Sequence, residues 1–318
     1  MTEPKTRPER LLLLDTASLY FRAFYGVPDS IKRSDGTPVN AIRGLLDMIA
    51  RLSTEFEATH LIACWDDNWR PGWRVDLLPS YKAQRVAETA PNGSDIEEVP
   101  DGLTAQIPLI REVLDLAGIA IVGAPDHEAD DVIGTYASRA DHAVDVVTGD
   151  RDLFQLVDHT HDVRVIYTAR GMKNLELVTD EVIVSKYRVL PSQYVDYATL
   201  RGDASDGLPG VAGVGEKTAA TLLGEYGSLE NVRDAATDAD SALSASVRSK
   251  LTAASDYLDV APMVVRVARD LDLPTPADAG ARLSPVTGDK RAQLESLSKE
   301  WNLGGSVTRL LAALDIYA

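Results

Sequence analysis

The sequence predicts an α/β fold whose first half builds a mainly parallel sheet and whose second half is helical. Two observations carry this. Short apolar runs alternate with segments whose apolar residues recur at helical spacing. Beyond about Leu190 the short runs stop and helical spacing takes over. Strands are expected at Leu11–Leu14, Leu61–Trp65, Ile119–Val122, Val144–Val147 and Val163–Tyr167. Between them Ile42, Leu45, Leu46, Ile49 and Leu52 mark one helix, and Ile107, Ile110, Val113 and Leu114 another. Alternation of this kind implies right-handed crossovers between parallel strands.

The stretch from about Val86 to Ala105, VAETAPNGSDIEEVPDGLTA, interrupts that rhythm with Pro, Gly and acidic residues. Loops longer than about 12–15 residues are usually functional or disordered. It reads either as a lid or arch or as a plain surface insertion. In the helical half, Thr179–Tyr187, Ser192–Leu200, Glu216–Tyr226 and Ser241–Leu258 are helix candidates. The Pro-rich LDLPTPADAG reads as a linker before a helical C-terminal tail.

Composition narrows the class. The chain has 318 residues, is 45% hydrophobic and carries a formal charge of −17 from 32 basic and 49 acidic residues. That supports a packed core, and on its own it argues against a nucleic-acid binder, because phosphate contacts want Lys and Arg. The lone cysteine, Cys64, lies in an apolar run and reads as a buried structural thiol. With one cysteine no internal disulfide forms, which fits a reducing compartment. No stretch approaches the roughly 20 apolar residues of a membrane span. The expected location is cytoplasmic.

The acids fall where strands end. Asp15 closes LLLLD and Asp66 closes LIACWD. EADDVIG brings Glu128, Asp130 and Asp131 to the start of a helix. VVTGDRDLFQL brings Asp150 and Asp152 to a strand-to-helix turn, and RGDASDGLPG adds Asp203 and Asp206. Singly, each reads as well as a helix cap or a turn residue. Together they crowd like charges at one sheet edge, which costs stability unless something neutralises them. A shared site for hard divalent cations, Mg²⁺ or Mn²⁺, accounts for them all. Open α/β sheets place their sites at that edge.

Two further constellations bear on anions. Gly210-Val-Ala-Gly213-Val-Gly215-Glu216-Lys217-Thr218 misses a phosphate-binding P-loop because Glu216 separates the last glycine from Lys217 and no strand precedes it. It fits a helix-hairpin-helix turn, with Gly213 and Gly215 admitting a phosphate and Lys217 and Thr218 adding donors. A plain αα turn is the alternative. Arg70, Arg74, Tyr81, Lys82 and Arg85, with Trp69 and Trp73 among them, suit a nucleic-acid strand or a solvated face.

The ordered set LLLLDTASLYFRAFYG, WD, WRVDLLPSYKAQR, EADDVIGTYA, VVTGDRDLFQLV and RGDASDGLPGVAGVGEKTAATLL resembles the 5′-nuclease family. That family includes the N-terminal domain of bacterial DNA polymerase I, phage 5′-nucleases and flap endonucleases. The resemblance implies a stand-alone bacterial member with a PIN-like α/β catalytic domain over 11–190 and a helical arch at about 80–107. A helical DNA-binding region over 191–318 would carry a helix-three-turn-helix, or helix-hairpin-helix, and the C-terminal helices.

It implies 5′-3′ exonuclease and 5′-flap endonuclease activity on DNA with 5′ ends, flaps, nicks or gaps, through two or more Mg²⁺ or Mn²⁺ ions. K⁺ at the hairpin is a weaker implication. The implied metal ligands are Asp15, Asp66, Glu128, Asp130, Asp131, Asp150, Asp152, Asp203 and Asp206. Lys82 and Arg85 would be catalytic. Arg74, Tyr81, Gly213, Gly215, Lys217 and Thr218 would bind DNA. The sequence departs from the family at Thr16-Ala17-Ser18, where Gly-Ser-Ser or Gly-Asn-Ser is usual, and at Gly207, where Asn is common. A haloacid-dehalogenase-like phosphatase lacks its Asp-x-Asp here. A PIN-type ribonuclease would have no use for the hairpin, and a non-catalytic DNA binder stays open.

Overall fold

A computed structural model of the protein describes residues 8–89 and 95–317. The chain begins with β1 (Arg10–Asp15), α1 (Thr16–Gly26), α2 (Asn40–Glu55), β2 (His60–Cys64) and α3 (Gly72–Leu77). A two-stranded ribbon, β3 (Val86–Glu88) and β4 (Ile96–Glu97), follows, then α4 (Asp101–Thr104), α5 (Ile107–Leu116), β5 (Ala120–Val122), α6 (Ala129–Arg139) and β6 (Ala143–Thr148). Next come β7 (Val163–Tyr167), β8 (Glu176–Val178), α7 (Asp180–Tyr187), α8 (Tyr194–Arg201), α9 (Glu216–Tyr226) and α10 (Leu229–Thr237). The chain closes with α11 (Ala245–Ala253), α12 (Ser255–Val265), α13 (Gly288–Glu300) and α14 (Gly305–Asp315).

The main sheet has the order β5-β2-β1-β6-β7-β8. All neighbours are parallel except β7 and β8. Leu11–Leu14 of β1 are wholly buried because both sheet faces are covered, the usual state of a parallel sheet. Alternation then divides the core. Leu11 and Leu13 face α6 and the helical region, while Leu12 and Leu14 face α1, α2, α5 and α14. Cys64 is buried on the first of these faces, as expected.

Three differences from the sequence reading have physical causes. The edge strand β8 is three residues long, too short for a pattern. The expected helix Ser241–Leu258 is two helices that break at Ala254. Ser244 caps α11 by accepting from the Val247 amide, and Pro262 sits inside α12. Proline at that position denies Leu258 its helical donor, and Arg233 Nη1 donates to that carbonyl instead at 3.3 Å. The C-terminal helices do not trail away. Leu310, Leu311 and Leu314 of α14 join the core under α2.

The stretch expected to form an arch begins with a 3₁₀ turn at Ala83–Arg85, runs through the β3–β4 ribbon and ends in α4. Part of it, residues 90–94, lies outside the described residues. Its described legs are stapled together. Trp69 Nε1 donates to the Asp95 carbonyl at 2.8 Å. The buried Arg70 pairs with the Asp95 carboxylate and donates to the Tyr81 carbonyl at 2.6 Å.

Candidate active site

The acids meet at the carboxyl edge of the sheet because parallel strands all end on the same side. β1 delivers Asp15, which caps α1 by accepting from the Ser18 amide at 3.1 Å and from Thr148 Oγ1 at 2.7 Å. Asp66 follows β2 and accepts from the Ala129 amide at 2.8 Å, at the start of α6. β6 delivers Asp150, whose Oδ1 accepts from the Asp152 amide at 2.9 Å. Asp203 and Asp206 come from the turn after α8.

These side chains line one cleft of about 1350 Å³, with Asp15, Asp66, Glu128, Asp130, Asp150 and Asp203 on its wall beside Lys82 and Arg85. Behind it a crevice of about 10 Å³ is lined by Asp130, Asp152 and Asp206. Crowding and burial act on their charge. Burial, then Asp66, hold the Asp15 carboxyl up at about 7. Burial also lifts Asp66. Burial, then Asp15 and Asp150, push Asp130 well above the usual carboxylate range, and burial with Asp150 does the same to Asp152. Asp206 sits at about 6 from burial, against the lowering pull of Lys82. Asp152 Oδ1 is buried with no hydrogen-bond partner.

The sequence placed Asp131 with the metal ligands, and the structure corrects this. Asp131 is fully buried, and both its oxygens are taken. Arg74 Nη2 donates to Oδ1 at 2.7 Å and Nη1 to Oδ2 at 2.9 Å, and the Ala268 and Glu128 amides donate at 2.8 and 3.2 Å. Arg74 and Tyr81, expected at a DNA surface, are corrected for the same reason. Arg74 is 2% exposed and Tyr81 5%. Arg74 also pairs with Glu128, and the Tyr81 hydroxyl donates to Glu128 at 2.6 Å. Burial disfavours the Arg74 charge, but Glu128 and Asp131 outweigh it and keep the guanidinium protonated.

Glu128 is therefore a hub, holding Arg74, Tyr81 and Lys82. Burial works against the Lys82 charge, but Glu128 outweighs it and pushes the ammonium pKa well above the usual lysine value. Lys82 itself has a left-handed backbone, φ +48, and its amide donates to the Asp206 carbonyl at 3.0 Å. Such strain in a non-glycine residue persists only where surrounding contacts enforce it. Arg85 lies on the same wall and donates to Asp206 at 3.0 Å. The departure at Gly207 is explained here. Its φ is +71, and a Cβ there would stand 1.9 Å from the Ser80 carbonyl oxygen, so asparagine does not fit.

The hairpin lies beside this cluster, with Glu216 3.6 Å from Arg151 of the cleft wall. Gly213 (φ +71) accepts from Lys250 Nζ at 3.2 Å through its carbonyl. Gly215 precedes α9 with open space where a Cβ would be. Lys217 is exposed and Thr218 half-buried. Sequence reasoning missed Arg22, Arg151, Arg170 and Lys173, which also line the cleft. Arg170 and Lys173 follow β7, another strand of the same edge, and that position was the available signal.

Two family models match this chain: the 5′-3′ exonuclease N-terminal resolvase-like domain over residues 10–188, and the 5′-3′ exonuclease C-terminal SAM fold over 189–287. The chain belongs to the 5′-3′ exonuclease family. It is 56% identical to a 5′-3′ exonuclease of Streptomyces coelicolor, over 95% of this chain and 99% of that one. It is 49% identical to a 5′-3′ exonuclease of Mycobacterium tuberculosis, over 96% and 98%. This nuclease also shares its fold with the phage T5 flap endonuclease, solved with DNA and metal ions. The TM-score there is 0.60 at 15% identity, over 96% of this chain and 99% of that one. Among the described residues no helix is long and apolar enough to cross a membrane.

Removing a buried cation strands the carboxylates it paired. Arg74→Ala should destabilise the protein by about 3–5 kcal/mol in urea denaturation. A loss under about 1 kcal/mol would show that Glu128 and Asp131 have another partner.

The raised acids set a pH dependence. Asp15 at about 7 and Asp206 at about 6 lie above the ordinary value of 3.8. A carboxyl with a raised folded pKa stabilises the fold while protonated. That contribution is full below about pH 4 and is lost as pH rises through about 6 to 7. In chelator, the thermal midpoint should fall from about pH 5 to about pH 8. Asp15→Asn should flatten the slope; an unchanged slope would show that Asp15 does not drive it.

Proposed function

We propose that this exonuclease family member hydrolyses DNA phosphodiesters near 5′ ends, as a 5′-3′ exonuclease and a structure-specific 5′-flap endonuclease serving replication or repair in the cytoplasm. One observation carries the reading: a wall of carboxylates, among them Asp15, Asp66 and Asp130 with pKa values lifted first by burial, stands in the same cleft as Lys82 and Arg85.

The donor set fits hard divalent cations. All its candidate ligands are carboxylate oxygens, and the buried Asp152 Oδ1 has no partner of its own. Among the described residues no trio of metal-binding side chains closes into a ready coordination shell. Mg²⁺, which keeps several waters, does not require one. We assign Asp15, Asp66, Asp130 and Asp150 to one ion, with Glu128 on the same wall, and Asp152, Asp203 and Asp206 to a second. Bound Mg²⁺ or Mn²⁺ would supply a deprotonated water and neutralise charge on the leaving oxygen.

The chain's own residues do the rest. Lys82, held charged by Glu128, would stabilise charge on the scissile phosphate, and Arg85 would orient it. Gly213, Gly215, Lys217 and Thr218 would grip duplex phosphates without reading sequence. K⁺ at this hairpin belongs to the same reading, and exchanging K⁺ for Li⁺ in a duplex-binding assay tests it.

A cleavage assay on flap, nicked, gapped and single-stranded DNA, with Mg²⁺ or chelator, tests the whole. Asp150→Ala should slow single-turnover cleavage at least about 100-fold while DNA binding persists. Turnover undiminished in excess chelator would exclude the metal-dependent reading.

Open space at Gly215 makes the hairpin testable without harming the fold. Gly215→Val should weaken duplex binding about tenfold or more and leave the melting temperature within about 2 °C. If the variant binds a nicked duplex like the parent, the hairpin is only a turn.

A further inference from the structure

The left-handed backbone of Lys82, φ +48, is held from both sides. The peptide that joins Tyr81 to Lys82 is fixed at both of its polar atoms. Its carbonyl accepts from Arg70 Nε at 2.6 Å, and its N–H donates to the Asp206 carbonyl at 3.0 Å. The Lys82 carbonyl accepts in turn from the Arg85 amide at 3.0 Å. A planar peptide pinned at one atom can still swing about that contact; pinned at two, it fixes the φ of the residue that follows. Of these three contacts only the one from Arg70 comes from a side chain.

The Arg70 guanidinium is placed with little freedom. It is 8% exposed, and each of its three nitrogens meets a different acceptor. Nε takes the Tyr81 carbonyl, Nη2 the Pro79 carbonyl at 3.0 Å, and Nη1 pairs with the Asp95 carboxylate. Trp69, next in the chain, donates to the Asp95 carbonyl at 2.8 Å, and its own carbonyl lies 3.5 Å from the Lys82 ammonium. That ammonium also pairs with Glu128. A lysine in place of Arg70 would be a single point charge and could not serve three acceptors spread around a planar fork.

We propose that Arg70 is a positioning residue for Lys82: by pinning the Tyr81 carbonyl, with Asp95 fixing the other end of the fork, it holds Lys82 in the left-handed turn that brings its ammonium to Glu128 on the cleft wall. Strain of this kind in a non-glycine residue relaxes once the contacts that enforce it go. Any consequence for cleavage rests on the reading of Lys82 above; the position of the lysine does not.

Amine acylation of the full-length protein without DNA, read by mass spectrometry, reports on that position directly. Lys82, 11% exposed and paired with Glu128, should acylate slowly in the parent. Arg70→Lys keeps a charge for Asp95 but gives up the fork. It should speed acylation of Lys82 about threefold or more and leave the exposed Lys217 within about twofold. Arg70→Met combined with Asp95→Asn removes both charges of the pair, so no buried charge is stranded, and it should do the same if Arg70→Lys fails to fold. In single-turnover cleavage of a 5′-flap DNA with Mg²⁺, Arg70→Lys should lower the rate about 10- to 100-fold, with duplex affinity in chelator within about twofold. In a Lys82→Ala background the same substitution should add nothing, since the effect runs through Lys82. Three outcomes overturn the proposal: Lys82 acylating at the parent rate in both variants, Lys82 and Lys217 speeding alike, or an equal loss of rate in the Lys82→Ala background. Faster acylation of Lys82 with unchanged cleavage would uphold the proposal and overturn the catalytic reading of Lys82 instead.

Discussion

Burial of the Arg74 guanidinium against Glu128 and Asp131 fixes several distant pieces of chain in one place. Arg74 comes from α3, Glu128 and Asp131 from the start of α6, and the Val264 carbonyl that accepts from Nε at 3.1 Å from the end of α12. The helical second half is thereby tied to the sheet's carboxyl edge through a single cation. The tie cannot be relaxed cheaply, because two desolvated carboxylates lose their partner if it goes. Glu128 extends the effect outward to Tyr81 and Lys82, so the cationic wall of the cleft is set by a largely buried ion cluster. A second tie closes the loop: Lys82 and Ser80 bond to the Asp206–Gly207 backbone, joining the base of the arch stretch to the second group of acids.

Strand ends were legible in the sequence because the signal is local: an apolar run, then an acid. The parallel sheet does the remaining work and brings Asp15, Asp66 and Asp150 to one edge with no further information. Sidedness was not legible. Asp130 and Asp131 are neighbours in sequence, but adjacent residues on a helix point about 100° apart. Asp130 meets the cleft, while Asp131 turns inward to Arg74. Likewise Arg70, Arg74 and Tyr81 look like a basic and aromatic strand-binding face, yet all are buried. Only tertiary packing distinguishes a guanidinium that binds a ligand from one that holds a loop. The break at Ala254 and the short β8 were invisible for a different reason, since neither disturbs a hydrophobic period.

The formal charge of −17 argued against a polyanion partner, and the arrangement of the site shows why a whole-chain sum misleads. Asp15, held at about 7, is only partly ionised near neutrality, and burial lifts Asp130 and Asp152 well above the usual carboxylate range, while Asp206, at about 6, stays mostly ionised. The acids at the heart of the cleft therefore repel less than their number suggests. Arg22, Arg85, Arg151, Arg170 and Lys173 share the cleft wall with them. Potentials in a cleft with low-dielectric walls are set by these local groups more than by charges a Debye length away, about 8 Å at physiological salt. An incoming phosphate thus meets arginine and lysine beside carboxylates that are partly neutral. On the proposed reading, the divalent cations that complete the site remove the repulsion that is left.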